Sequence, residues 1–535
     1  MSRRYSKSGS KATTPSQKSR QPQRVAEQEL QQDLLELVAR AEQAQTLTAI
    51  VTLVMTGLRA LGLKLVRLIL ERRDEQLHRG RQGPPCCPCC GRKLQRPKRK
   101  WTTRVTLLGR LRYRRRSWHC AHCHRTHQPL DAAMDLVVLH RAHSLEFVRE
   151  LTLLCTLHAF EQGCTLFERC FGFPVSTHLA HRMVSGIGGQ LYEHELARAE
   201  ALWQRRETHP EEFEPTPAKL RQRERADRLY VMLDNSKVRI QEGKRGRGAP
   251  KRSRQNGFVE RFNIHNVGPV LVKERKRDKA SKGDNDWRDV RALLIYREAD
   301  VADCSKDRRQ ILHRRVLAHV GTQEQWQQLL HLAFHEEGVY LARQVVVVAD
   351  GGAGIWDTID ELLPSTRSRK VTQILDWCHA VSYLWKVAKK WKPGNRKQDV
   401  RARAKWVEGL VDYLAEGKLS NVLQRLRRLQ RGKQGELFEE IRRCLDYLEE
   451  HRGRMHYPQY RKAGMTIGSG AIESVHKWVI QARCKQAGMA WSEAGINAMM
   501  RLRCVWASGR WDEIFAPAPL DADDMLNDSL RAAAA

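Results

Sequence analysis

The spacing of apolar residues predicts helices in two segments of the first 203 residues. In residues 25–77 the apolar side chains recur three and four residues apart, which predicts two amphipathic helices. These helices could pack on the body of the protein or pair with a second copy. Gly83-Pro84-Pro85 interrupts the pattern and predicts a domain boundary. Residues 131–203 have the helical spacing again.

Two apolar runs of β type each end in an aspartate. Leu229-Tyr-Val-Met-Leu leads to Asp234, and Val345-Val-Val-Val-Ala leads to Asp350. The second run has no polar alternation, which predicts a strand that is buried on both faces. Further strands are predicted at residues 256–264, 291–296 and 370–375, and the early strands are expected to form an antiparallel meander. Helical stretches are predicted at residues 306–335 and 379–454.

The charge of the chain indicates a polyanionic partner. The 535 residues include 95 Lys and Arg against 61 Asp and Glu, a formal net charge of +34. Such a surplus favours nucleic acid, and double-stranded DNA is the expected partner. Residues 1–24 carry seven Lys and Arg and no acid, and we expect a disordered basic arm there.

The cysteine content indicates a reducing compartment. The chain has 14 cysteines, and its N-terminus does not resemble a secretory signal, which predicts free thiols in a cytoplasmic, nucleoid-associated protein. The longest apolar run, residues 48–58, is about half of the ~20 residues that span a bilayer, so no transmembrane helix is predicted.

Two Cys-x-x-Cys pairs in residues 84–130 predict a structural Zn²⁺ site. A pair of such knuckles presents four thiolates to one tetrahedral ion. The stretch between the pairs predicts a β-hairpin, so that the whole segment has the layout of a zinc ribbon. Cys86 and Cys89 offer a competing register, which is less favoured because Gly91 directly after Cys90 suits the tight turn of a knuckle. A nearby histidine could replace one cysteine. The predicted ligands are Cys87, Cys90, Cys120 and Cys123, and the nearby histidines are His119, His122, His124 and His127.

The ribbon and the segment that follows it are expected to bind DNA. Thirteen Lys and Arg and no acid occur between Arg92 and Arg125, a surface suited to phosphates. Residues 166–184 could form a helix-turn-helix in which Ser176 caps the second helix. The basic residues expected to contact DNA, here and in the C-terminal helix, are Arg99, Lys100, Arg112, Arg114, Arg115, Arg116, Lys477, Arg483 and Lys485.

Three separated carboxylates predict a divalent-metal nuclease. Asp234 and Asp350 end strands, and Glu473 lies at the start of a helix after Gly468-Ser-Gly. Carboxylates are the ligands that Mg²⁺ or Mn²⁺ prefers, and two such ions can promote in-line displacement at phosphorus. Asp357 is the alternative to Asp350 as the metal ligand, and Asp227 is the alternative to Asp234 as the first acid.

Several motifs resemble those of bacterial insertion-sequence transposases of the DDE class, in the Mutator-like assemblage and closest to the ISKra type. The motifs are Asp350-Gly-Gly-Ala-Gly-Ile-Trp-Asp, Leu375-Asp-Trp-Cys-His-Ala, Gly468-Ser-Gly-Ala-Ile-Glu-Ser and Arg483-Cys-Lys-Gln-Ala-Gly-Met-Ala-Trp. The resemblance covers about residues 84–510. It implies an RNase H-like catalytic domain with a helical insertion and with Asp234, Asp350 and Glu473 as its triad.

The family's Asp/Cys-x-x-His motif falls on Asp376 and His379, which are expected to form a structural hydrogen-bonded pair or, less favoured, a second metal site. Two positions depart from the family pattern. Asn235-Ser236 stands where Gly-Thr is usual, and Cys378 stands where an aromatic residue is frequent.

These observations predict a multidomain chain that combines α+β and α/β parts. The expected activity is cut-and-join DNA transposition by a homodimer or larger assembly on DNA. The alternatives are a domesticated DNA-binding protein without catalysis and an RNA-guided RNase H-like nuclease. The expected domains are a basic arm (1–24), N-terminal helices (25–83), the zinc ribbon (84–130), a helical domain (131–203), a linker (204–227), the catalytic core (228–375 and 466–515), the helical insertion (376–465) and a tail (516–535).

Overall fold

The computed structural model describes residues 17–79, 83–134, 142–209, 226–241, 257–263, 268–274, 285–305, 308–352, 354–394, 396–486 and 489–515. The chain divides into two compact units. The first contains Met1–Cys155, Phe160–Ala180 and Phe515–Ala535, and the second contains Thr156–Ala159 and His181–Ile514. The fold combines helices with a mixed β-sheet.

The N-terminal part of the chain is helical except for one small sheet. The order of its elements is α1 (Gln17–Glu42), α2 (Leu47–Gln76), β1 (Lys98–Thr106), β2 (Gly109–His119), β3 (Thr126–His127), α3 (Pro129–Ala133), α4 (Leu145–Leu157), α5 (Phe160–Phe171) and α6 (Thr177–Thr208). Strands β1 and β2 form an antiparallel hairpin, and β3 pairs with β2. One face of α2 packs on β2 and α3, where Leu70, Leu111, Tyr113 and Leu130 form a small core.

Two sequence expectations for this part can be compared with the fold. The two N-terminal helices are confirmed. Helix α1 begins at Gln17, so the prediction of disorder is wrong for residues 17–24; glutamine, lysine and arginine lose little rotamer freedom in a helix. Residues 1–16, the centre of the 204–227 linker and the tail after Phe515 lie outside the described residues.

Helix α2 is long and apolar enough to cross a membrane by length and composition. Taking residues 48–58 as the whole apolar run underestimated its length, because apolar side chains continue past Arg59 and Lys64. This property alone is weak evidence of a membrane span.

A five-stranded mixed sheet organises the second unit. Its elements are β4 (Arg228–Gln241), β5 (Gly257–Asn263), β6 (Gly268–Glu274), β7 (Asn285–Arg297), β8 (Val301–Ser305), β9 (Arg308–Ile311), β10 (Arg315–His319), α7 (Gln323–Glu336), β11 (Gln344–Ala349), α8 (Ile355–Leu362) and β12 (Lys370–Leu375). The strand order is β10-β7-β4-β11-β12. Strands β4, β11 and β12 are parallel to one another, and β7 is antiparallel to β4.

The core of this unit lies against the sheet. Helices α7 and α8 cover one face, where Trp326, Phe334 and Ile359 pack on the alternate side chains of β4 and β11. Val345 to Val348 are all fully buried, which confirms the prediction of a strand covered on both faces.

The remaining elements are helices. They are α9 (Trp377–Trp391), α10 (Lys397–Ala415), α11 (Leu419–Gln430), α12 (Gly435–Glu450), α13 (Tyr457–Lys462), α14 (Gly470–Val475), the π-helix His476–Gln481, α15 (Ala482–Cys484) and α16 (Glu493–Ala507). Helix α14 packs on β4 and β7, and α16 packs on β10.

Two predictions in the second unit are wrong. Residues 308–311 and 315–319 are strands, whereas a helix was expected from residue 306; the helix begins at Gln323. Arg315 to His319 are all buried, and a short buried strand cannot be distinguished from a helix by apolar periodicity. The expected meander is also interrupted, because β5 and β6 pair only with each other among the described strands.

Candidate functional site

Four thiols converge at the base of the β1–β2 hairpin. The ligand atoms of Cys87, Cys90, Cys120 and Cys123 all lie within 4.8 Å of one another. The Sγ atoms of Cys87 and Cys123 are 3.6 Å apart, and those of Cys90 and Cys120 are 3.5 Å apart. Four sulfurs placed 2.3 Å from one tetrahedral ion are about 3.8 Å apart. The cluster could therefore hold a structural metal such as zinc.

The two cysteine knuckles have the same backbone hydrogen bonds. The N–H of Cys87 donates to the carbonyl of Arg92, and the N–H of Cys120 donates to the carbonyl of Arg125. Gly91 has a φ of +69°, and His124, the equivalent residue of the second knuckle, has a φ of +55°. The backbone is therefore left-handed directly after Cys90 and directly after Cys123, a conformation that Gly91 had suggested for the first knuckle.

The register with Cys87 and Cys90 fits the cluster better than the alternative. Cys86 and Cys89 are exposed, whereas Cys87 is buried. His127 is the histidine nearest to the thiols, with Nε2 3.2 Å from the Sγ of Cys87, and Cys87, Cys89 and His127 form a second possible ligand group. Backbone hydrogen bonding from Cys123 lowers the pKa of the Cys120 thiol to about 6, which favours the thiolate that binds metal.

The basic residues of the hairpin fall into two groups. Arg99 pairs with Glu75, Arg115 with Asp131 and Arg116 with Asp74. In contrast, Lys100, Arg112 and Arg114 are exposed, and the guanidinium groups of Arg112 and Arg114 lie 4.7 and 4.5 Å from the centroid of the Trp101 ring. The second group presents charge outward.

The predicted helix-turn-helix segment has the expected local structure. Helices α5 and α6 are joined by a turn in which Gly172 has a φ of +77°, and the Oγ of Ser176 accepts a hydrogen bond from the N–H of Leu179 at 3.2 Å. This geometry occurs between many packed helices, so its DNA contact stays a prediction.

Three aspartates lie in one row where the parallel pairing of β4, β11 and β12 ends. The expectation that Asp234 ends its strand is wrong, because β4 continues to Gln241 in its antiparallel pairing with β7. Ala349 of β11 is paired with Leu233 of β4 and with Leu375 of β12. Asp234, Asp350 and Asp376 directly follow these three residues, so the sheet register brings them side by side. The carboxyl ends of parallel strands are where α/β folds place their sites.

Asp234 is the most perturbed of these acids. Burial, then the charge of Asp350, raises its pKa to about 6, and the charge of Glu473 adds to the rise. One carboxylate oxygen accepts a hydrogen bond from the N–H of Asn235 at 2.7 Å. The charge of His379 lowers the pKa of Asp234 without cancelling this rise. A divalent metal would relieve the crowding of the three negative groups.

The backbone around Asp350 is fixed by its neighbours. The N–H of Gly352 donates to its Oδ1 at 2.9 Å, and the hydroxyl of Tyr447 donates to its carbonyl oxygen. Gly351 has a φ of +79°, and a Cβ there would lie 2.5 Å from His451 Nε2. Glycine is therefore needed at 351 for both conformation and space.

Glu473 and Asp376 are linked through Ser469. Glu473 lies in the first turn of α14, and the hydroxyl of Ser469 donates to its carboxylate at 3.3 Å. The N–H of Ser469 donates to Oδ1 of Asp376 at 2.7 Å. Because Asp376 is fully buried, this contact fixes the loop from which α14 starts.

Asp376 also holds His379. Its Oδ2 accepts from the N–H of His379 at 2.8 Å and lies 2.7 Å from Nδ1 of the same residue. Burial alone would raise the pKa of Asp376, but the hydrogen bonds from His379 and Ser469 lower it. The hydrogen bond to Asp376 in turn raises the pKa of His379, to which Asp350 and Asp234 also contribute. The pair has the hydrogen-bonded form that the sequence had favoured.

His476 is a neighbour of the site that sequence reasoning missed. Its Nε2 lies 3.3 Å from Oδ2 of Asp234, and burial lowers its pKa to about 4. It occurs three residues after Glu473, so the two share one helix face. That spacing was a usable signal in the sequence.

A π-helix, His476–Gln481, follows directly after α14, the helix that carries Glu473. Such segments leave carbonyl groups without their usual partners and are frequent at functional sites. Here the buried guanidinium of Arg503 donates to the carbonyls of Trp478 and Val479, the latter at 2.6 Å. Arg503 therefore stabilises the irregular backbone, while the Trp478 side chain remains 65% exposed.

The competing acids lie elsewhere. Asp357 is exposed on α8. Asp227 precedes the first residue of β4, seven residues before Asp234. Its side chain is 84% exposed and pairs with Arg343 at 3.1 Å. Neither belongs to the row of aspartates.

The basic residues of the C-terminal helix differ in accessibility. Lys477 is exposed, and Lys485 is half-buried, with a pKa that burial lowers. Arg483 is 1% exposed, and its guanidinium lies 5.4 Å from the centroid of the Trp491 ring. Burial makes Arg483 a packing residue, and a phosphate contact at this position is disfavoured.

A second group of cations was not predicted. Lys386, Lys389 and Lys390 of α9 line a concavity with Arg403, and Glu440 is its one acid. The group is connected to the site, since Lys386 Nζ lies 3.9 Å from the centroid of the Tyr383 ring, which stacks on Tyr447. The helical spacing of these lysines was visible in the sequence.

Comparison with models of protein families and with curated proteins finds no match to this chain.

Proposed function

We propose that the chain is a DNA transposase that cuts phosphodiester bonds and joins the resulting ends to target DNA. The observation that carries this proposal is the convergence of Asp234, Asp350 and Glu473. Two of these acids follow register-matched residues of adjacent parallel strands, and the third is close enough to raise the pKa of the first.

The residues fit a divalent-metal site. Oxygen ligands are what Mg²⁺ and Mn²⁺ prefer, and the pKa of Asp234 is raised first by burial and then by the like charges of Asp350 and Glu473. Asp234, Asp350 and Glu473 would hold the ions. When bound, two divalent ions activate the attacking oxygen and stabilise the leaving oxygen of an in-line displacement.

The surrounding residues keep the carboxylates in place. Tyr447 and Gly352 fix Asp350, Ser469 orients Glu473, and His476 contacts Asp234. Asp376 holds the His379 imidazole through Nδ1, which leaves Nε2 free to meet a phosphate or a water near the acids.

The first unit supplies the grip on DNA in this proposal. The cysteine cluster, as a zinc ribbon, stiffens the β1–β2 hairpin, and Lys100, Arg112 and Arg114 present charge outward from it. The net charge of +34 supports salt-dependent binding to a polyanion. Cutting two element ends in one event requires more than one copy, so we expect a homodimer or larger assembly on DNA.

The test is metal-dependent nicking and strand transfer on DNA that carries the flanking element ends. The parent protein is compared with Asp234→Asn, Asp350→Asn and Glu473→Gln, each of which should reduce the rate by about 1000-fold, since metal stabilisation is worth several kcal/mol. DNA binding in the absence of metal should persist.

Asp357→Asn and Asp227→Asn are matched controls, since both residues are exposed acids in the same unit, and both variants should cut like the parent. A parent that binds DNA and never cuts it would favour a domesticated binding protein. Guide RNA that co-purifies with the protein would favour an RNA-guided nuclease.

A further inference from the structure

Exposed apolar side chains are concentrated on the N-terminal helical hairpin. Seventeen large hydrophobic side chains are exposed among the described residues, and ten of them lie on α1 and α2. Single exposed aliphatic residues are ordinary, but a contiguous group marks an interaction surface.

The exposed residues of α2 have the spacing of a coiled-coil seam. They recur at intervals of four, four, three, seven and four residues. The stripe consists of Leu47, Val51, Met55, Leu58, Leu65 and Ile69. Gly62 occupies the position inside the seven-residue interval. The side chain of Leu108, at the tip of the β1–β2 hairpin, lies over Gly62 and is itself exposed, so it fills the gap in the stripe.

Helix α1 contributes to the same face. The hairpin is antiparallel, because Leu37 packs at Gly57 whereas Asp33 pairs with Lys64. In an antiparallel pair of right-handed helices, the residues that directly follow inward-facing ones lie on one common side. The residues that follow these four are Leu34, Val38, Leu58 and Leu65. We call the exposed stripe of α2 together with Leu34 and Val38 the apolar face.

The rest of α2 shows that the apolar face does not belong to a membrane span. Another side of the helix is buried in protein, where Leu63 and Val66 pack against the core of Leu111 and Tyr113. Asp74 is buried on this side and pairs with Arg116 at 2.8 Å. A spanning helix would have to break these contacts and carry its central basic residues into lipid.

The charges of the hairpin favour a second hairpin over nucleic acid. Residues 25–42 contain five acids and one base, whereas Leu47–Gln76 contains five bases and three acids. Residues 25–42, the part of α1 that follows Lys18, Arg20 and Arg24, are therefore acidic and would repel a phosphate backbone. A two-fold axis parallel to the helices places α1 of one copy opposite α2 of the other, so that opposite charges meet around the apolar contact.

The size of the face matches a protein interface. Its eight side chains are between 44% and 76% exposed. A fully exposed aliphatic side chain offers roughly 100 Å², so the face offers on the order of 400 Å² of apolar area. A standard interface buries about 800 Å² per partner, a little more than half of it apolar.

We propose that the apolar face is a self-association surface, through which two copies of this chain form an antiparallel four-helix arrangement in the absence of DNA. The proposal does not depend on the chemistry of the carboxylate site. It assigns the assembly of the protein to α1 and α2.

The test is the mass of the full-length, nuclease-treated protein in solution at high salt, measured by light scattering during size exclusion. The parent should have twice the 61.8 kDa mass of the chain. Leu58→Glu combined with Leu65→Glu should raise the dissociation constant on the order of 100-fold, about tenfold for each substituted position, and yield single chains.

Thr56→Glu combined with Ala60→Glu is the matched control, because it adds the same charge at exposed positions on another side of α2. It should remain dimeric. Unchanged circular dichroism and metal content verify the fold, and Leu58→Gln with Leu65→Gln replaces the test variant if they change.

A parent that is a single chain would overturn the proposal, as would a Leu58→Glu, Leu65→Glu variant that stays dimeric. A monomeric parent that floats with vesicles of anionic phospholipid would assign the face to a membrane surface instead.

Discussion

The cysteine cluster and the carboxylate site are two candidate metal sites built in opposite ways. The four cysteines lie within 37 consecutive residues, from Cys87 to Cys123, and two equivalent knuckles hold them. The carboxylates of Asp234, Asp350 and Glu473 are separated by more than one hundred residues each, and the sheet register and helix α14 bring them together.

The difference also extends to charge. Close thiols can share protons before any metal arrives, since the pKa values of Cys87 and Cys120 are lowered while that of Cys90 is raised. In the carboxylate site, burial and then the negative charge of Asp350 raise the pKa of Asp234. The first site is suited to holding structure, and the second is suited to binding hard cations and anionic substrate together.

The largest effect is expected at the cysteine cluster. Cys120→Ser should reduce the zinc content from about one ion per chain to near zero and disorder the hairpin, since structural zinc contributes about 10–16 kcal/mol. Elemental analysis and circular dichroism measure both. Cys89→Ser should retain the metal, because Cys89 is exposed. Zinc loss in Cys89→Ser would instead identify Cys87, Cys89 and His127 as ligands.

The next effect concerns the residue that orders the carboxylate site. Asp376→Asn should lower the cleavage rate by about 10–100-fold, the usual cost of removing an orienting partner. The variant loses the charged acceptor of His379 and Ser469, so the pKa of His379 should fall. Titration of His379 by NMR, together with the rate, tests this. An unchanged histidine pKa would contradict the assigned contact.

A smaller effect concerns the stability of metal-free protein. The folded pKa of Asp234 is about 6, above the value of 3.8 for a free carboxyl. A raised folded pKa means that this group contributes stability at low pH that is lost as the pH rises through about 6. Asp234→Asn should therefore be more stable than the parent at pH 7.5, by about 1–3 kcal/mol.

Urea unfolding at pH 4 and pH 7.5 measures this difference, which should nearly vanish at the lower pH. Mg²⁺ should stabilise the parent and leave Asp234→Asn almost unchanged. A variant that is less stable than the parent at pH 7.5 would show that Asp234 has a cationic partner instead of like-charged neighbours.

The smallest effect separates binding from chemistry. Arg112→Gln with Arg114→Gln should weaken DNA binding and reduce the salt slope by about 2, one phosphate contact for each arginine. The turnover at saturating DNA should not change. Arg309→Gln with Arg343→Gln is the matched control, since these side chains are 74% and 68% exposed in the other unit. Equal losses in both variants would remove any special role of the hairpin.

Sequence patterns predicted local features well. The knuckle register followed from Gly91, and the end of β11 followed from an apolar run that stops at an acid. The same reasoning was wrong for β4, which continues seven residues past Asp234 because it stays paired with β7. The adjacency of Asp234 and Asp350 depends on strand register, which the sequence alone does not specify. The resemblance to DDE transposases supplied it as an expectation.

Burial and irregular backbone explain what was missed. Arg483 has the sequence context of a phosphate ligand but is buried. Residues 315–319 form a strand because they pair with β7, and the segment is too short to show an apolar period. Arg503 was not predicted, because its partners are carbonyls of a π-helix that no local pattern announces.

The most direct test of the account is to map where a divalent ion binds. Fe²⁺ replaces Mg²⁺ in the full-length protein, and ascorbate with peroxide then generates radicals that cleave the nearby polypeptide. The account predicts three cleavage positions, close to residues 234, 350 and 473, all suppressed by excess Mg²⁺ and lost in Asp350→Asn. Cleavage confined to one of these segments, or Mg²⁺-insensitive cleavage only near the cysteines, would contradict a shared carboxylate metal site.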